Sequence, residues 1–165
     1  MRVFGALIVN LIFFTDITHS KDPQEPLDDL VYDALRNFYN VLDVKNYDIE
    51  KLKEIVTDDF LVFEAAEKMD LNAFHIFLTH KDPNAEPLTH TNWQLSETRV
   101  SLDEGSAHVS YVNRGTFVHG TSLRVTIEWL ESAFLIRKDN NFKIKFINAN
   151  LISKDIQRTA GEESN

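Results

Sequence analysis

The sequence predicts an α+β domain, a curved antiparallel sheet wrapped around N-terminal helices in the order α-α-β-α-β-β-β-β. Three observations predict it. Apolar residues recur at spacings of three and four through the first half of the chain. After Pro87 the period changes to two. The four β-rich runs that follow are joined by links too short to cross a sheet, which forces antiparallel neighbours. A length of 165 residues suits one such domain.

The first helix carries Leu27, Leu30, Val31, Ala34, Leu35, Phe38, Val41 and Leu42, an apolar stripe with one face to bury. Asp28 and Asp29 stand in its first turn, where the helix dipole favours negative charge. A second, short helix is capped by Asp48 and buries Ile49, Leu52, Ile55 and Val56. Thr57-Asp58-Asp59 ends it, and Phe60 to Phe63 follows as a short buried strand. A third helix starts at Asp70, runs through Leu71, Phe74, Phe77 and Leu78, and is closed by Asp82-Pro83. The strands cover about 91–103, 106–118, 122–138 and 142–152. Asp103-Glu104-Gly105, His119-Gly120 and Asp139-Asn140-Asn141 make the turns between them.

In 129–136 both faces of the strand are apolar, through Trp129, Leu130, Ala133, Phe134, Leu135 and Ile136. Helices cover one face of such a sheet, so the other face calls for a second cover. A symmetric partner chain would supply it, giving a homodimer through the sheet face. A central strand lying beside the N-terminal segment is the alternative.

The chain opens with Arg2 and an apolar run from Val3 to Phe14, broken only by Asn10. That is the size of a signal-peptide core and too short to cross about 30 Å of hydrocarbon. Thr18-His19-Ser20 offers a cleavage site after Ser20. This divides the chain into a leader (1–20), a linker (21–26), the domain (27–153) and a polar tail (154–165). It also makes the protein secreted or periplasmic, with no stable membrane span after processing. A buried N-terminal strand or an uncleaved anchor would read the same way.

With 17 Lys+Arg against 26 Asp+Glu, the net charge of −9 argues against nucleic acid as a partner. The absence of Cys excludes a disulfide framework, a thiolate nucleophile and Cys-ligated zinc. The histidines form neither H-E-x-x-H nor H-x-H, so no metal site is expected. No G-x-S-x-G, G-x-G-x-x-G or Walker loop occurs, and no cofactor is expected.

Two groups of residues carry candidate chemistry. Glu64 ends the apolar strand Phe60–Phe63 and would sit at the rim of the core, where a carboxyl acquires a raised pKa and can shuttle protons. An ordinary strand-end Glu turned to solvent is the plainer reading. By alternation, Val109, Tyr111, Asn113 and Gly115 share one face, and Phe142, Ile144, Phe146, Asn148 and Asn150 share another. Each set starts apolar and turns polar toward one end, as in a pocket with an apolar floor. Phe38, Trp93 and Trp129 would add wall area. Asn148 and Asn150 read equally as an exposed strand end.

The order of elements, the run Asp48-Ile-Glu-Lys-Leu-Lys-Glu-Ile-Val-Thr-Asp-Asp-Phe60, and Trp129-Leu-Glu-Ser132 followed by Leu135 to Ile144 resemble the nuclear transport factor 2-like (cystatin-like cone) superfamily. The SnoaL-like and ketosteroid-isomerase-like branches are the most similar, and the resemblance covers about 27–153. Phe142 stands where the family's final hairpin carries tryptophan. The resemblance implies a cone with a deep pocket, usually homodimeric, on a fold that serves enzymes and binding domains alike. It implies Glu64 as the proton-shuttling carboxylate. The oxyanion-donating tyrosine falls on Asn40, or on Tyr39 with one extra residue in the following loop. The second acid falls at about Ser132, beside Glu131, so the catalytic set is incomplete. Asn148 replaces a histidine found in many SnoaL-like members, and an amide cannot exchange protons near neutral pH.

The expectation is therefore an exported cone domain that binds a small apolar or amphipathic molecule, with Phe38, Trp93, Tyr111, Asn113, Trp129, Phe146, Asn148 and Asn150 lining its site. The alternatives are an enzyme doing proton transfer or cyclisation on a hydrophobic carbonyl compound, with Glu64 as base and Tyr39 as oxyanion donor, and a protein-interaction module.

Overall fold

The apolar stripe of the first helix needs a concave partner, and the sheet supplies it. In the computed structural model, which describes residues 25–158, α1 (Glu25–Leu42) lies against the sheet with Val31, Leu35 and Phe38 almost wholly buried. The leader, its cleavage site at Ser20 and the tail from Thr159 lie outside the described residues. Helix α2 (Ile49–Ile55) is capped by Asp48, whose side chain accepts from the Glu50 N–H at 2.9 Å. Helix α3 (Leu71–Thr79) is capped by Asp70, which accepts from the Ala73 N–H at 2.8 Å. Both caps act as the sequence predicts.

The sheet has six strands, β1 (Val56–Glu64), β2 (Glu67–Asp70), β3 (Leu88–Leu102), β4 (Ser106–His119), β5 (Leu123–Lys138) and β6 (Asn141–Arg158). Their spatial order is β2-β1-β6-β5-β4-β3. Strands β3 to β6 form the expected antiparallel meander. Strand β1 takes in Val56, expected on the second helix, and Thr57-Asp58-Asp59, expected to end it. Two further features depart from expectation. Strand β2 was not anticipated; it folds back on β1 through Ala65 and Ala66, both at positive φ (53° and 63°). An alanine there costs about 1 kcal/mol that glycine would avoid, so the turn is strained. The sheet is also mixed, because β1 runs parallel to β6. Tight turns determine which sequential strands are neighbours; they say nothing about a strand separated from its partner by a helix and four further strands.

Bulges bend the wall. Register shifts fall between Ser96 and Arg99 in β3 and at two points where β5 meets β6. A bulge kinks the strand and increases its twist, which wraps the sheet around the helices. The core between them gathers Leu35, Phe38, Leu52, Phe60, Tyr111, Leu135 and Ile144, each nearly inaccessible to solvent. Strand β6 continues past residue 153, the expected end of the domain, to Arg158.

Candidate functional site

The helical stripe of α1 is broad enough to bury two successive residues, Phe38 and Tyr39, while Asn40 is exposed. Of the two positions at which a tyrosine was expected, the one inside is therefore Tyr39. Its hydroxyl donates to Glu131 Oε2 and lies 2.9 Å from the hydroxyl of Tyr111. Because the Tyr39 O–H is directed at Glu131, Tyr111 is left to donate to the Tyr39 oxygen. Asn113 Nδ2 donates to Glu131 Oε1 at 3.1 Å. Tyr111 faces Glu131 directly across the β4–β5 pair, and Asn113 faces Trp129. The alternation expected for β4 places Tyr111 and Asn113 inside, as the structure has them.

Glu131 is the residue that sequence reasoning missed. The second acid was expected at Ser132, but β5 turns Trp129, Glu131, Ala133 and Leu135 inward and Ser132 to the other face. A displacement of one residue along a strand reverses its face. The signal that could have found it is the alternation with Trp129 and Ala133, which places 131 in their set.

Burial governs the protonation of this network. It pushes the Glu131 carboxyl above the usual range, and the donors Tyr39, Asn113 and Tyr111 pull in the opposite direction. Burial raises the Tyr39 hydroxyl well above its ordinary value, and the charges of Tyr111 and Glu131 add to this. Tyr111 moves the same way, first by burial and then by the Glu131 charge.

Glu64 follows Phe60 and Val62 on the inner face of β1, so it turns toward the core and not to open solvent. Burial, with Glu131 nearby, raises its carboxyl to about 7. It lines a cleft of about 380 Å³ together with Phe63, Glu67, Lys68, Asn148 and Asn150. This cleft is the notch left where β1 turns away into β2 and β6 runs on alone.

The β6 residues need a correction. Phe146, Asn148 and Asn150 do not share the inner face of Phe142 and Ile144. Leu135 pairs with Ile144 but Phe134 pairs with Phe146, so Lys145 is an extra residue that shifts the alternation. Phe146 packs edge-on against Phe63 on the outer face, ring centroids 5.0 Å apart. Asn148 and Asn150 stay near Glu64, at the side of the notch.

The remaining expected residues form walls. Trp93 lies 5.2 Å from Tyr39, 5.3 Å from Phe117 and 6.2 Å from Trp129 by ring centroids. Gly115 lets these rings converge: a Cβ there would stand 2.9 Å from each of Phe117, Trp129 and Trp93. Gly115→Ala is expected to cost about 2 kcal/mol through overpacking, read as a lowered urea midpoint with unchanged slope. Phe38 lies deeper, closed in by Phe60 and Phe74. Asn113 Oδ1 and Trp93 Nε1 are buried with no hydrogen-bond partner, an acceptor and a donor with capacity to spare beside the network.

No family model matches the sequence, and no curated protein matches it either. Solved structures do. The Chlamydomonas reinhardtii CaMKII hub homology domain is 17% identical over 77% of this chain and 99% of that one, with a TM-score of 0.63. A scytalone dehydratase-like protein from Novosphingobium aromaticivorans is 12% identical, covering 84% and 95%, with a TM-score of 0.61. An NTF2-like protein from Cytophaga hutchinsonii is 16% identical, covering 76% and 98%, with a TM-score of 0.57. The chain has the nuclear transport factor 2-like cone fold.

Within this cone, the polar network lies between α1 and strands β4 and β5, and Glu64 stands at the notch beside it. A second cleft, of about 490 Å³, is lined by Met69, Ala73, Ile76, Phe77 and His80 and lies apart from the network. Among the described residues no cluster of His, Asp and Glu could hold a metal ion, and no helix is long and apolar enough to cross a membrane.

Proposed function

We propose that the cone is an exported, homodimeric domain that binds a small apolar or amphipathic molecule, with no cofactor. The observation that carries this reading is the polar network of Tyr39, Tyr111, Asn113 and Glu131, set among the rings of Trp93, Phe117 and Trp129. Apolar walls with a few convergent polar groups are what a ligand site requires. The spare donor on Trp93 and spare acceptor on Asn113 favour a ligand that carries a hydroxyl. Leu130, half exposed and on the same outer face of the sheet as Phe134 and Phe146, supports pairing of two cones through that face.

Native mass spectrometry of the protein purified from its source, with 2-naphthol added, tests the reading. The expected result is two chains, each beginning at Lys21, holding up to one naphthol apiece. A single chain that starts at Met1 and takes up no naphthol would sink it.

A second reading is favoured by Glu131. The second acid absent at Ser132 is supplied by Glu131, a buried carboxyl. In this reading Glu64 takes a proton from carbon beside a ligand carbonyl. Tyr39 turns its O–H from Glu131 to the oxygen on which charge develops, and a protonated Glu131 donates to the same oxygen. The Glu64 carboxyl, at about 7, is placed to exchange protons in both directions near neutral pH.

A further inference from the structure

Beyond the end of β1, strand β6 has a partner on one side only among the described residues. Strand β1 leaves β6 after the pair Phe63–Asn148, while β6 stays paired with β5 as far as Arg158. Every residue from Asn150 to Arg158 is exposed, including Leu151, Ile152 and Ile156 at 63%, 53% and 53%. An edge of this length presents a row of free N–H and C=O groups and is a template for another strand.

The charges along this edge say which strand. At one end is the notch, with Glu64 and Glu67 against the single ammonium of Lys68. At the other end is Arg158; between the two ends Lys154 and Asp155 stand side by side and offset one another. An edge acidic at one end and basic at the other is complementary to itself when a second copy runs antiparallel to it. We propose that two copies of this chain join through the β6 edges into one continuous sheet.

The register follows from pairing rules. A two-fold axis perpendicular to the sheet sets one residue opposite its own copy. Centring on Lys154 would oppose two ammonium groups, and like charges directly across strands are unfavourable. Centring on Ser153 opposes two hydroxyl residues instead. Ile152 is an extra residue against β5, so it bulges at the new seam on each chain, and the partner's Asp155 to Arg158 run on past Leu151 toward the notch. The partner's Arg158 then overhangs the paired segment and enters the notch beside Glu67 and Glu64. The contact is made twice by symmetry. It uses the edge of the sheet and leaves the outer face, with Leu130, free.

The test is sedimentation velocity on the full chain over a range of concentrations, with Leu130→Arg as background so that pairing through the outer face is removed. That background is expected to self-associate still. Arg158→Glu should raise its dissociation constant about tenfold, since two cross-strand contacts turn repulsive. Glu67→Lys should do the same, and the two changes together should restore the original value. Amide hydrogen exchange should show residues 150–156 protected at high concentration and not at low. A background protein that stays monomeric at every concentration would overturn the proposal. So would association indifferent to both charge reversals, or exchange at 150–156 that does not change with concentration.

Discussion

Glu131→Ala is expected to destabilise the fold by about 4 kcal/mol at neutral pH. The carboxyl accepts from Tyr39 and from Asn113, and both donors are buried. Removing an acceptor leaves each donor without a partner in a medium that cannot replace it, at about 1–3 kcal/mol apiece. The cavity left by the side chain adds to this. Tyr39 recovers part of the loss by donating to Tyr111, 2.9 Å away. Glu131→Gln keeps an acceptor of nearly the same shape and is expected to cost about 1 kcal/mol. The combined change Glu131→Leu, Tyr39→Phe and Asn113→Leu removes donors and acceptor together, and should be milder than Glu131→Ala alone. Urea unfolding of the four proteins gives the comparison. Equal stability of Glu131→Ala and the parent would mean that the network does not hold the cone together.

Glu64→Gln is expected to stabilise the protein above neutral pH and to leave it unchanged at pH 4. The folded carboxyl titrates at about 7, against an ordinary value of 4.5. Below the ordinary value the group is protonated in both states and contributes nothing. As pH rises from there to 7, the unfolded chain releases its proton while the folded chain keeps it. The folded state then binds more protons, so stability falls with pH through this window and levels off above it. The full loss is at most about 3 kcal/mol. An amide cannot ionise, so the variant should escape this loss and show a flatter stability profile between pH 4 and 8. Thermal melts across that range measure it. The same variant separates binding from catalysis. If the cone is an enzyme, it should speed exchange of the α-hydrogens of 2-tetralone with deuterated water, and Glu64→Gln should abolish that exchange. Exchange at the uncatalysed rate with the parent protein would leave binding as the activity.

Much of this site was open to local reading. Tyr111, Asn113 and Trp93 fall on the inner face because strand residues alternate, and the structure keeps them there. Glu64 could be placed at the end of β1 because an apolar run stops there. Glu131 was missed by one position. The family resemblance implies an acid at about 132, whereas alternation from Trp129 places it at 131. Phe146, Asn148 and Asn150 were set on the wrong face because alternation assumes an unbroken ladder, and the extra residue at Lys145 breaks it.

The sequence by itself determined the helices, their caps, the four long strands, the turns between them and therefore an α+β domain. These depend on periodicity and on residues a few positions apart, which local sterics and burial dictate. Only the tertiary structure decided that β1 runs parallel to β6, and that β6 slips a residue at Lys145. It alone brought Tyr39 to Glu131 across 92 positions of chain. Those outcomes depend on backbone hydrogen bonds and packing between distant segments, and no pattern within either segment specifies the register in which they meet.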